Sequence, residues 1–234
     1  MRKDAILLGL LACLAAGSFG QGTFPDLVER AFGPDQELVN GIQFSNHYGR
    51  IEGHPYLFDG QFHTGSLEIN GKLYNGVRVR YNLYTQRPEV EYITVDGFMN
   101  QLMAVPERVA RFNVKGTHFE RLELGTGNPA YYQVIQVNAD TCYVAWSKNM
   151  GSSTGSVSGS RFNSPEVSFI LNVNRERLVF HNRKTLVNSY PTHSRKALKR
   201  LIKESGFSFR DPTPVQCMNF AGSVIQIYRE ELEP

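Results

Sequence analysis

From Gly41 onward, apolar and polar positions alternate with the period of two expected of strands, and turn dipeptides interrupt them at short intervals. The clearest stretch is Gly65 to Val95. Ser66-Leu67-Glu68-Ile69 is strand-like and runs into Asn70-Gly71, a strong short hairpin signal. A second Asn-Gly pair follows at Asn75-Gly76. Val77, Val79, Tyr81 and Leu83 then alternate with Arg78, Arg80 and Asn82, so one face is apolar and the other polar. Thr85 to Pro88 breaks the run, Glu89 to Val95 alternates again, and Asp96-Gly97 closes it. Short connections of this kind predict an antiparallel meander.

More strand patterns follow at Val109 to Val114, Phe119 to Leu124, Tyr131 to Val137, Thr141 to Trp146, Val167 to Val173 and Leu178 to His181. Asn149 to Ser160 is nearly all Gly and Ser and reads as a loop or hairpin tip. Roughly ten strands predict a mainly β fold: an antiparallel meander sheet, or an open barrel or sandwich.

Helical spacing occurs at the two ends. Pro25, then Leu27, Val28, Ala31 and Phe32, then Gly33, spell a short N-terminal helix. Pro191-Thr192-His193-Ser194 offers cap chemistry before a helix from Arg195 to Glu204. Ala197, Leu198, Leu201 and Ile202 share one face of that helix, and Lys196, Lys199, Arg200 and Lys203 the other. Asn219 to Glu231 fits either a strand or a second helix. The organisation is a signal segment at 1–20, a lead-in at 21–40, a β domain at 41–190 and a C-terminal helical segment at 191–234 packed on it.

The signal reading rests on Arg2 and Lys3, the apolar run Ala5 to Ala16, and small residues at Gly17, Ser18 and Gly20. The apolar run is too short to span a bilayer, and cleavage before Gln21 is expected. Leu10-Leu11-Ala12-Cys13 is a competing lipidation signal, disfavoured because the apolar run continues past Cys13. Export to the periplasm or the outer membrane follows. It leaves Cys142 and Cys217, which either pair or stay buried and free.

Composition narrows the function. A formal charge of +3 is too small to mark a nucleic-acid binder, and no cofactor-binding motif is present. Later apolar runs are strand-sized, so no transmembrane helix is expected.

Gly65-Ser66-Leu67, Asn70-Gly71, Tyr74, Val77, Arg80-Tyr81-Asn82 and Tyr84, with the Lys-rich helix and Gly206-Phe207-Ser208-Phe209 after it, are similar to a broad group of uncharacterised secreted proteins of Gram-negative envelopes. The resemblance implies an exported β-rich protein and brings no catalytic residues with it.

Candidate chemistry is sparse. His47, His54 and His63, with Asp59, are metal-ligand types within seventeen residues, although the spacing matches no zinc pattern. Ser153 sits in a Gly-x-Ser-x-Gly match without the strand and helix a nucleophile elbow needs. Glu89 with Glu91, and Glu120 with Glu123, are paired carboxylates whose alternation reads as a solvated sheet face. Lys196, Lys199, Arg200 and Lys203 suit an anionic envelope component or an envelope protein. Tyr81, Tyr92, Tyr131, Tyr132 and Tyr143 read as core or cross-strand packing, whereas Tyr84 falls on a polar side and is a surface-binding candidate. The leading expectation is a non-catalytic binding or structural accessory protein of the envelope. The alternative is a secreted hydrolase or metal-binding enzyme built on the His47 to His63 region.

Overall fold

The computed structural model describes residues 34–45, 48–49, 51–125, 127–152, 159–173 and 176–232. Chain order begins with α1 (Gln36–Val39), β1 (Ile42–Gln43), β2 (His63–Ile69), β3 (Lys72–Asn82), β4 (Arg87–Ile93) and β5 (Met99–Met103). A 3₁₀ turn at Pro106–Arg108 leads into β6 (Val109–Val114), β7 (Thr117–Leu122), β8 (Ala130–Val137) and β9 (Asp140–Ser147). Then come β10 (Met150–Ser152), β11 (Ser160–Phe162), β12 (Glu166–Val173) and β13 (Glu176–Phe180), followed by α2 (Arg183–Asn188), α3 (Arg195–Glu204) and α4 (Pro214–Leu232). The expected N-terminal helix and the signal segment lie outside the described residues.

Among the described residues, eleven strands form one antiparallel sheet in the order β1-β5-β4-β3-β2-β6-β7-β8-β9-β12-β13, and β10 pairs with β11 separately. The sheet is open, with β1 and β13 at its ends. The mainly β, antiparallel expectation is therefore met. Asn70-Gly71 makes the β2–β3 turn with both residues at positive φ (50° and 82°), as a tight hairpin requires. Asn75-Gly76 makes no turn. Gly65 pairs with Val77 and Ser66 with Asn75, so the strand continues through an extra residue, a β-bulge with Gly76 at φ 72°.

The sheet is strongly curled. β3 and β8 are four positions apart, about 19 Å in a flat sheet at normal strand spacing. Yet the rings of Tyr81 on β3 and Tyr131 on β8 lie 6.0 Å apart, and Tyr81 also meets Phe112 and Phe119 at 5.1 Å each. Phe112 and Phe119 stack at 4.8 Å. All four are buried. Curling lets one apolar face close on itself, as when a sheet packs against another.

The C-terminal segment covers the other half of that face. Cys217, Phe220, Ala221, Val224, Ile225 and Tyr228 form a buried stripe at helical spacing along α4, which resolves Asn219 to Glu231 as helix. Phe220 stacks on Phe207 at 4.0 Å and meets Phe169 edge-on at 6.1 Å. Polar latches hold the helix down. Gln133 donates to the Pro214 carbonyl (3.1 Å) and accepts from Trp146 Nε1 (2.9 Å). Arg229 donates to Asp140 (2.6 Å), and Tyr190 donates to the Val224 carbonyl (3.0 Å).

Cys142 and Cys217 are both buried and free. Burial pushes the Cys142 thiol up to about 12, and that of Cys217 upward too, so both are neutral core groups. In α3, Leu198 and Ile202 are buried while the basic residues point outward, as expected. Ser194 occupies the N-cap position without its side chain capping the helix. No helix among the described residues is long and apolar enough to cross a membrane.

Gly65 lies opposite Val114 of β6, and a Cβ there would lie 2.0 Å from the Asn113 carbonyl oxygen. Gly65→Ala is expected to cost about 2–3 kcal/mol of stability by forcing the strands apart, measured by chemical denaturation. Gly71→Ala, where a Cβ meets nothing, probes turn strain alone.

Candidate functional site

The outer face of β3 and β4 holds a buried ion pair. Arg80 lies opposite Glu89 in the register, and its Nε donates to Glu89 Oε2 at 2.7 Å. Glu89 is completely buried, and the Arg80 side chain is 12% exposed. The residues between β1 and β2 cover them. The Arg80 guanidinium stacks over Tyr56 at 4.0 Å and Phe62 at 4.1 Å, and donates to the Gly60 carbonyl at 3.2 Å. Glu91, also buried, accepts from Arg78 at 2.6 Å and from Gln101 at 3.1 Å. The expectation of a solvated face for Glu89 and Glu91 is therefore corrected. The covering loop removes the water, and the opposed arginines compensate the charge.

This network positions the segments around it. Asn82, fully buried, donates to Glu89 Oε1 at 3.0 Å. Its side-chain Oδ1 accepts from the amides of Tyr84 and Thr85 at 3.1 and 3.0 Å. That Asx turn sets the direction of Tyr84. The backbones of Pro55 and Leu57 bond across to Leu83 and Tyr81, which fixes His54 beside the end of β3.

The same corner meets the far side of the curled sheet. Gln86, held at φ 56°, donates to the carbonyls of Leu83 (2.7 Å) and Trp146 (2.8 Å), and accepts from Tyr81 Oη at 2.7 Å. The Lys148 amide donates to the Leu83 carbonyl (3.3 Å), and Lys148 Nζ to the His54 carbonyl (3.0 Å).

Three clefts run around this corner. One of about 430 Å³ is lined by His54, Tyr56, Phe58, Lys148, Asn163 and Asp211, among others. A second, about 520 Å³, contains Tyr84, Trp146, Lys148, Glu166 and His181. The third, about 280 Å³, is bounded by Phe44, Tyr48, His54 and Arg80. Lys148 belongs to the first two and His54 to the first and third. An aromatic rim separates them: Phe162 meets Tyr48 edge-on at 5.3 Å and Tyr84 at 5.7 Å.

The cleft groups carry modified acidities. Burial holds the Lys148 ammonium below its ordinary pKa, with Asp211 acting the other way. Burial, and then the Lys148 charge, lower the His54 pKa. His54 Nδ1 accepts from the Tyr56 amide at 3.3 Å, so the ring presents Nε2–H elsewhere. A neutral imidazole donor beside a partly desolvated cation is chemistry for recognising an anion, because neither group has a large hydration shell to lose.

Of the residues singled out in the sequence, Tyr84 is 41% exposed and lines the largest of these clefts. Asp59 and His63 meet as a pair at 2.7 Å, and Lys115 joins Asp59 at 3.2 Å. The His63 bond is the main reason the Asp59 carboxyl lies well below the usual carboxylate range. His54 stands apart, stacked on Tyr56. Among the described residues no three His, Cys, Asp or Glu side chains are grouped to hold a metal ion, and His47 lies outside them. Ser153 also lies outside the described residues. Glu120 pairs with His118 at 2.8 Å, and Glu123 is exposed. Lys196, Lys199 and Lys203 are exposed on α3, and Arg200 pairs with Glu204 at 2.8 Å; none of the four lines the three clefts.

The sequence reading missed Lys148 and the Arg80–Glu89 pair. The pair had a signal: Arg80 and Glu89, like Arg78 and Glu91, are placed symmetrically about Tyr84–Thr85, so a hairpin centred there opposes them. Lys148 had none, because it becomes special only when the curl brings it against His54.

The lowered His54 pKa has a defined consequence. The unfolded chain binds a proton near pH 6.5 that the folded chain takes up only at lower pH, so stability falls as pH drops through that range. Denaturation midpoints followed between about pH 8 and pH 5 are expected to decline more for the native protein than for His54→Gln. Parallel profiles would remove the effect.

No family model matches the chain, and neither does any curated protein or solved structure.

Proposed function

We propose that the protein is an exported binding protein of the bacterial cell envelope, and that the corner around Lys148 is its binding site for a small ligand with an anionic group and a planar or apolar body. One observation carries this reading: a half-buried lysine, bonded to the His54 carbonyl, is shared by two clefts beside the Tyr48–Tyr84–Phe162 rim. The ammonium supplies charge, His54 Nε2–H a neutral donor, and the rings an apolar surface. Ligand sites are concave with a few placed polar groups, and the two clefts that share Lys148 fall within the usual size range.

The envelope assignment is supported by the charged start, apolar run and small residues of the N-terminal segment, and by the resemblance carried in Gly65-Ser66-Leu67, Asn70-Gly71 and Tyr74. The basic face of α3 supports it less. Its charges are solvated, and Arg200 is already paired on its own helix.

The test is thermal-shift screening against a panel of small aromatic and aliphatic carboxylates and phosphates. A hit is expected to raise the melting temperature of the native protein, to lose its effect in Lys148→Met, and to bind more weakly in Tyr84→Ala. Hits that stabilise Lys148→Met equally would place the site elsewhere. A panel in which only uncharged compounds bind would refute the anionic class.

A further inference from the structure

The β4–β5 hairpin ends in a concentration of exposed apolar side chains. Ile93 is 63% exposed, Val95 66%, Phe98 72% and Met99 66%. Ile93 and Met99 are cross-strand partners, while Val95 and Phe98 lie in the turn between them. Scattered exposed apolar residues are ordinary, but four within seven consecutive residues at one tip are not.

The turn is closed by hydrogen bonds of its own. The Thr94 amide donates to the Phe98 carbonyl at 2.8 Å, the Phe98 amide donates to Thr94 Oγ1 at 3.1 Å, and the Gly97 amide donates to the Thr94 carbonyl at 2.9 Å. These bonds satisfy the amides of Thr94, Gly97 and Phe98, which lowers the cost of bringing the tip up to an apolar layer. Asp96 is the one charged residue in the segment. It limits the depth to the headgroup level, where a carboxylate stays hydrated.

We propose that this hairpin is a shallow lipid anchor that seats Ile93, Val95, Phe98 and Met99 in the interfacial layer of a bilayer. Size separates a lipid surface from a second copy of the chain. A stable protein interface buries roughly 800 Å² on each partner, more than the four partly exposed apolar side chains of this tip supply. Interfacial insertion needs only a few apolar side chains and no shape complementarity. The proposal is independent of the cleft reading, because Lys148, Tyr84 and His54 take no part in it.

The chain's single tryptophan, Trp146, is buried, so a new tryptophan at the tip can be read against a constant background. Phe98→Trp in the full chain is mixed with vesicles of phosphatidylethanolamine and phosphatidylglycerol, with and without doxyl-labelled lipid. The expected result is a blue shift of the added emission and its quenching by the doxyl label. Ile93→Asp in the same background is expected to weaken the partitioning about tenfold or more. Val215→Trp, 60% exposed at the start of α4, is expected to remain as in water, which separates tip insertion from binding through the N-terminal apolar run. Emission at position 98 that stays unchanged, even while the protein floats with the vesicles, would overturn the proposal. A blue shift that grows with protein concentration in the absence of lipid would overturn it equally and assign the tip to a second copy.

Discussion

The contact between Tyr81 and Tyr131 sets the terms for the rest of the molecule. Two rings borne on strands four positions apart meet within a few ångströms, so the sheet must roll up around them. Phe112 and Phe119 fill the space between, and the result is an aromatic centre that a flat sheet would leave in water. Burying large rings is among the strongest driving forces available to a small domain, and edge-on and stacked pairs add a little more. The bulge at Gly76 and the close approach at Gly65 are the local devices that let the strands bend this far. The half of the sheet that does not roll onto itself needs another cover, which α4 and its phenylalanine neighbours provide.

The candidate site is a by-product of that curl. Rolling the sheet brings the end of β3 against the end of β9, and Gln86 fastens the two at the Trp146 carbonyl. Lys148 then falls beside His54, residues almost a hundred positions apart in the chain. The ion pair of Arg80 and Glu89 acts one step earlier. It fixes the covering loop and, through Asn82, the turn that carries Tyr84. Such a buried pair contributes little net stability by comparison with packed apolar residues, but it holds a single arrangement, because any other leaves a charge without its partner. The groups of the candidate site are thus tied to the sheet through this polar network.

Much of the fold was legible in the sequence, because alternation and turn chemistry are local. Asn70-Gly71 made its hairpin, the strands from Val109 to Val173 fell close to their expected limits, and the apolar face of α3 is buried. The errors came where tertiary context overrides a local signal. Asn75-Gly76 has the residues of a turn but lies between strands already in register, so it became a bulge. Asn219 to Glu231 is no error but an open choice: its pattern fits either a strand or a helix, and packing on β8, β9 and β12 decided for the helix. Glu89 looked solvated because nothing local reveals that a loop some thirty residues upstream will cover it. Tyr84 stood out because its side of the strand was polar, and it is exposed beside a cleft. Lys148 did not, because its place beside His54 exists only in three dimensions.

The curl itself is tested most directly by nuclear Overhauser contacts between aromatic rings in solution. The account predicts cross-peaks linking the ring protons of Tyr81 with those of both Tyr131 and Phe119, strands that are not neighbours in the sheet. A spectrum in which Tyr81 contacts only residues on its adjacent strands, β2 and β4, would contradict it and dissolve the corner at which Lys148 and His54 meet.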